Sequence, residues 1–144
     1  MHATLLSSTQ IEDRRKRFNP ADFGAWLDGQ HDDSAAMLAC RDAVVEAGGV
    51  LDLPAGALLR LREPVLWPAD QNAQFGGKGI SIVGAGAYSS LILWDPLPEH
   101  WASQCLQIGD GSLPEPALPF GYTFRDFGVH SKQPEASGPA IWLI

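Results

Sequence analysis

Hydrophobic positions change their period once along this chain. Between residues 33 and 47, Met37, Cys40, Val44 and Ala47 recur at steps of three and four, the apolar stripe of a helix. Asp32 or Asp33 stands where an N-cap belongs, with a carboxylate to accept orphan amide N–H groups and suit the helix dipole. Gly48-Gly49 then supplies the left-handed position that ends a helix. From Val50 onward the pattern is that of short strands, with Leu59 and Leu61 on one side and Arg60 and Arg62 on the other. Strands are predicted over residues 50–53, 57–61, 65–67, 80–83, 91–94, 106–108, 124–130 and 140–144, with Gly, Pro or Asp at most corners. No further helix is predicted after residue 47.

Ahead of the helix, Thr9-Gln10-Ile11-Glu12 has the spacing of a capping box, and Arg14, Arg15, Lys16 and Arg17 follow it. Cations suit the C-terminal end of a helix, so a short helix is predicted over residues 10–17. Phe18-Asn19-Pro20 breaks it. The basic run reads as a solvated helix end or a tether to a partner, because the chain as a whole carries a net charge of −7. That charge also argues against nucleic acid and anionic membranes as partners.

Short strands with turns at near-regular spacing suit a sandwich, a barrel or a solenoid. The position of the helix favours the solenoid. The first coil of a solenoid exposes unpaired backbone groups and an apolar cross-section, and an amphipathic helix laid over that end covers both. The composition fits a folded domain: 45% hydrophobic and 19% charged, with 15 Gly and 11 Pro for the corners. Cys40 and Cys105 lie far apart, form no CxxC, and read as buried reduced thiols. The N-terminus has no secretory-signal pattern, and no apolar run approaches the ~18 residues of a membrane span. The chain is therefore expected to be made and folded in the cytosol.

The stretch DFGAWLDGQHDDSAAM, residues 22–37, combines an Asp-Gly turn, a His and two adjacent acids. With its surroundings it carries a resemblance. Asn19-Pro20-Ala21-Asp22-Phe23-Gly24-Ala25, Asp28-Gly29, Asp32-Asp33-Ser34-Ala35-Ala36, Ala47-Gly48-Gly49 and Leu53-Pro54-Ala55-Gly56 resemble the N-terminal signature of the pectate-lyase-like β-helix superfamily. Phage tailspike depolymerases and polygalacturonase-like enzymes share that signature. Trp26-Leu27 and Gln30-His31 vary within it, and Ala57-Leu58 stands where a Tyr is common. Residues 82–86 and 91–94 look like the next rungs, so the resemblance covers residues 19–111. It implies an all-β fold, the start of a right-handed parallel β-helix with an N-terminal capping helix. It does not imply an activity, because the same cap precedes lyases, hydrolases and inactive binding proteins.

Candidate chemistry is sparse. A metal site at Asp28, His31, Asp32 and Asp33 lacks both the alternation of a calcium loop and a pair of ligands one helical turn apart. No metal, cofactor or catalytic residue is therefore assigned. Gly84-x-Gly86-x-x-Ser89 lacks the third Gly of a dinucleotide loop and leads into a strand, and Gly76-Gly77-Lys78 is no P-loop. Asp95, Glu99, Asp110, Glu115, Asp126 and Glu135 sit in or beside turns. Nothing in the spacing brings two of them to the separation that glycoside cleavage needs. Asp126 and His130 lack a nucleophile and read as solvated edge residues. Of the five tryptophans, Trp26, Trp67 and Trp94 are expected to fill corners and the cap junction, while Trp101, in a Pro-Glu-His-Trp loop, is the candidate for an exposed carbohydrate contact.

The expected organisation is a helical extension over residues 1–18, followed by the capping helix and first rungs over residues 19–144. The resemblance implies a polysaccharide or cell-surface glycan as the target. The expected role is attachment or assembly, with virion (phage tail) association and a trimer or other tail subunits as partners. The alternative is a polysaccharide lyase or glycoside hydrolase whose active site lies on further rungs. The apolar run at residues 140–144 reads as a buried strand on an open coil. The 144-residue chain is accordingly expected to self-associate. Sedimentation that finds a compact monomer at micromolar concentration would contradict the open coil.

Overall fold

The computed structural model describes residues 15–68, 79–108, 122–136 and 141–143. Within them the chain winds through ten short strands and one long helix. Strand β1 (Lys16–Phe18) precedes helix α1 (Ser34–Ala47). Three circuits follow: β2 (Gly49–Asp52), β3 (Leu58–Leu61) and β4 (Val65–Trp67); β5 (Ile80–Val83), β6 (Leu91–Trp94) and β7 (Leu106–Ile108); β8 (Tyr122–Arg125), β9 (Gly128–Ser131) and β10 (Ile141–Leu143). Each circuit gives one strand to each of three parallel sheets, ordered β1-β2-β5-β8, β3-β6-β9 and β4-β7-β10. This is a parallel β-helix, right-handed as connections between parallel strands are.

The register stacks like on like. Leu51 lies beside Ile82 and then Phe124, Leu59 beside Ile92 and then Val129, and Leu61 beside Trp94. Val65 lies beside Leu106 and Trp67 beside Ile108. These inward positions form one apolar column. A strand of four residues would be marginal alone; paired above and below, and buried on its inner face, it is held. Trp67 and Trp94, expected at corners and the cap junction, are buried within the column, and their indole N–H groups have no partner. Cys40 and Cys105 are free and buried. Burial, with the charge of Asp22 adding to it, pushes the Cys40 thiol up to about 12, and burial also raises that of Cys105.

Helix α1 closes the N-terminal end. Met37, Cys40 and Val44 are fully buried and join the cluster that holds Leu51 and Leu53. The backbone edges of the first coil are covered by three different devices. Strand β1 pairs with β2, Lys16 beside Gly49 and Phe18 beside Leu51. The segment at residues 27–33 lies along β3: Leu58 donates its N–H to the Leu27 carbonyl, while Gly29 and Asp33 donate to the Leu58 and Arg60 carbonyls. At β4, the Arg41 guanidinium of α1 donates to the Leu66 carbonyl at 2.8 Å.

Two sequence expectations are corrected here. The helix over residues 10–17 does not reach its expected end, because Lys16 and Arg17 belong to β1; residues 10–14 lie outside the described residues. The pairing partner decides the matter, since Gly49 lets the β1 backbone approach so closely that a Cβ there would strike the Lys16 carbonyl. Charged residues suit this outer strand because they discourage further pairing. Arg17 reaches Asp52 at 3.3 Å, and Lys16 lies over the Phe18 ring. Gly48 takes the left-handed position alone (φ 66°), while Gly49 opens β2. The second correction is that residues 124–130 are not one strand. Asp126 turns the chain with φ 62°, so β8 and β9 belong to different sheets.

Val44→Asp should place an unpaired charge between cap and column and lower stability by about 3–5 kcal/mol. Ala39→Asp, on the exposed face of the same helix, should stay within about 0.5 kcal/mol of the parent. Urea denaturation of the two variants checks this; similar losses would mean that α1 does not cover the coil.

Candidate functional site

The loop between β1 and α1 carries the side chains whose arrangement is not explained by filling the column. It begins with Asn19, whose carboxamide oxygen accepts the Ala21 N–H and starts a 3-10 turn at Pro20–Phe23. Gly24, left-handed at φ 99°, ends that turn. The chain then runs out to Trp26, reverses through Leu27 at φ 56°, and meets β3 at a parallel bridge between Asp28 and Leu58.

The four candidate metal ligands of this loop do not converge. Asp33 is buried, and its carboxylate accepts the backbone N–H groups of Trp26 at 2.8 Å and Leu27 at 3.1 Å. It stands at the N-cap position of α1 but makes no side-chain bond to the helix; of the two candidate capping acids it is Asp32 whose carboxylate takes the first helical N–H, while Asp33 fixes the loop. Asp32 accepts the N–H and the hydroxyl of Ser34. The Ser34 hydroxyl oxygen in turn accepts the Arg62 N–H beyond the end of β3. Asp28 accepts the N–H groups of His31 and Gln30, and its other oxygen meets His31 Nδ1 at 2.6 Å. Those bonds, first from the His31 N–H, then from the Gln30 N–H and the imidazole, hold the Asp28 carboxyl down to about 2.

His31 lies flat against Trp26, with ring centroids 4.2 Å apart and planes 13° from parallel. Trp26 is 66% exposed. The expectation that Trp26 fills the cap junction is therefore corrected. The loop points its indole outward, and the reversal at Leu27 turns the following residues back to the coil. Trp101 closes the 3-10 turn Pro98–His100 and is half-buried, with its indole N–H buried and without a partner. The single-residue pattern around Trp26 gave no sign of its exposure. The usable signal was its place between two turn motifs, where no periodicity assigns a face.

Beside this loop the outer face of the β3-β6-β9 sheet carries a polar ladder. Arg60 donates to the Gln30 carbonyl and, at 2.9 and 2.6 Å, to one oxygen of Asp95 on the next coil. The other oxygen of Asp95 accepts from the Gln133 side-chain amide on the third coil. Burial acts to raise the Asp95 carboxyl, but the bonds from Arg60 and Gln133 and the charges of Arg60 and Arg62 outweigh it and hold the group below its ordinary value. The ladder ties four successive levels together. It leaves Asp95 engaged as a structural anion. Asp126 is paired with Arg125 and not with His130. Glu99 and Glu135 are exposed; Asp110, Glu115 and the loop at residues 76–78 lie outside the described residues.

The chain is similar to the A-module of an Azotobacter vinelandii mannuronan C-5 epimerase, with 25% identity and a TM-score of 0.57 over 85% of this chain and 31% of that one. It is similar to the ORF18 product of Geobacillus virus E2, with 14% identity and a TM-score of 0.60 over 87% of this chain and 23% of that one. The catalytic unit of a GH87 α-1,3-glucanase from Streptomyces thermodiastaticus matches at 19% identity and a TM-score of 0.48, over 84% of this chain and 23% of that one. No protein-family model and no curated protein matches the chain. The likeness is one of structure, and it bears out the pectate-lyase-like β-helix fold read from the sequence. The chain spans under a third of the length of each of these structures. Among the described residues, no helix is long and apolar enough to cross a membrane.

Two predictions follow from these bonds. Asp33→Ala strips the Trp26 and Leu27 amides of their shared acceptor and should lower stability by about 1.5–3 kcal/mol in urea denaturation; a change below about 0.5 kcal/mol would mean the loop is held by other contacts. Asp95 sets an acid limit. Its folded pKa lies below the ordinary 3.8, so its contribution is complete above that pH and is lost as pH falls through the folded value. Stability measured against pH should fall on acidification less steeply in Asp95→Asn than in the parent, and identical slopes would contradict the ladder.

Proposed function

We propose that this chain is the front part of a β-helix protein directed at polysaccharide, acting in attachment or assembly. The observation that carries the reading is the match to the epimerase A-module, which extends over 85% of this chain. Three of the described carboxylates support a binding role over a cleaving one. Asp28, Asp95 and Asp126 are each engaged by a neighbouring His or Arg, whereas glycoside cleavage requires one carboxyl poised as an acid and another free as base or nucleophile. Trp101 remains a secondary candidate contact, through whatever part of its ring stays open. Assembly as a trimer, or with other tail subunits on a virion, is the corresponding partner and location. The fold shared with a virus-encoded protein is compatible with it.

A second reading has its own support. One of the similar structures is part of an enzyme by its name, and this chain covers only 31% of it. The full protein would then be a polysaccharide lyase or hydrolase with its reacting groups on further coils.

The purified chain, incubated with a panel of neutral and acidic polysaccharides, should retain at least one of them in affinity electrophoresis without releasing new reducing ends or unsaturated products. Cleavage by the chain would overturn the binding role in favour of the enzyme. Retention of none would remove the polysaccharide reading.

A further inference from the structure

The exposed indole of Trp26 is held with unusual completeness for a surface side chain. Its backbone N–H is bound by the buried Asp33 carboxylate at 2.8 Å, and the same carboxylate binds the next N–H. One face of its ring is covered by His31. His31 is itself fixed through Nδ1 to Asp28, whose carboxylate is anchored by the Gln30 and His31 amides. An aromatic left 66% exposed gains little from burial. Four residues nevertheless fix where it stands. With one face occupied, the opposite face is the one presented to solvent. A ring fixed before contact loses little freedom when a ligand packs on it, and that raises affinity without any new bond.

Resting on the polysaccharide reading above, we propose that the open face of Trp26 is a stacking platform for an uncharged pyranose ring. Sugar rings have C–H faces that pack on the electron-rich face of an indole, while their hydroxyls need polar neighbours. His31 supplies one: with Nδ1 committed to Asp28, Nε2 is the ring nitrogen left to bond a hydroxyl. The charge around the platform decides the class of sugar. Asp28 stays ionised, held down to about 2, and the exposed Asp22 and Asp32 belong to the same loop. The Arg60 guanidinium, which bonds the Gln30 carbonyl of the same loop, is already paired with Asp95. A uronate or sulfated sugar would bring a second anion to this corner, and a neutral hexose would not.

The test uses the 144-residue chain, the variants Trp26→Ala and Trp26→Phe, and titration calorimetry with cellohexaose, maltohexaose and a hexauronate. Trp26→Ala removes a largely exposed side chain, so its melting temperature should match the parent and a binding change can be read directly. The expected result is binding of a neutral hexaose, weakened about tenfold or more in Trp26→Ala and partly restored in Trp26→Phe. Binding of equal strength in the parent and Trp26→Ala would overturn the platform while leaving the polysaccharide reading intact. Preference for the hexauronate, with Trp26 still required, would overturn the assignment to uncharged sugars. Absence of any binding to these probes would overturn the platform, and retention of a polymer in the panel above would show that the broader reading survives it.

Discussion

The unpaired backbone edge of the first coil is the constraint from which the rest of this structure follows. Inside the β-helix each strand is bonded on both sides by copies of itself one turn away. The first turn has no such neighbour, and three strand edges would face water or a hydrophobic helix with their N–H and C=O groups unmatched. The chain meets this with three devices. A strand covers one edge, an irregular loop covers the second, and an arginine from the helix reaches the third. The helix itself covers the apolar cross-section, which none of those devices could do. Each task requires a different chemistry, and so the cap has four parts where the coils have one repeating part.

That division of labour also shapes the surface. A loop that must track the edge of β3 cannot be a regular strand, because it has to enter from the 3-10 turn and leave into the helix within a few residues. The reversal at Leu27 and the buried carboxylate of Asp33 are the means. Once the backbone is so fixed, Trp26, which this loop leaves largely exposed, is fixed with it. Rigidity made for covering an edge thereby becomes available for recognition, with no further element needed. The ladder through Arg60, Asp95 and Gln133 extends the same stiffness up the outer face of the neighbouring sheet.

Much of this was legible in the sequence, because the coils obey local rules. Gly, Pro and Asp mark the corners, and alternation such as Leu59, Arg60, Leu61 assigns inward and outward faces directly. Met37, Cys40 and Val44 gave the buried face of α1 for the same reason. What escaped was set by contacts distant in sequence. Lys16 and Arg17 look like a helix end until Gly49 is known to lie beside them. Residues 124–130 look like one strand because a lone Asp, although it tolerates positive φ, does not by itself signal a corner, and only the demand that β8 and β9 lie over different sheets turns the chain there. Asp33 has the right place for a cap but is drawn to two amides of the preceding loop, which a helix-based reading does not contain. Trp26 was assigned to the interior on the strength of its size. Its exposure follows from the path of the loop, which no periodicity encodes.

The central claim is that the cap satisfies the first coil's edge as fully as a neighbouring coil would. Native-state hydrogen exchange measures this at single amides. The amides of Leu58 and Arg62 point to the cap, at the Leu27 carbonyl and the Ser34 hydroxyl, whereas those of Leu91 and Asp95 are bonded to the coil beneath them. The account predicts that all four exchange slowly and with comparable protection. Rapid exchange at Leu58 and Arg62, beside slow exchange at Leu91 and Asp95, would contradict it.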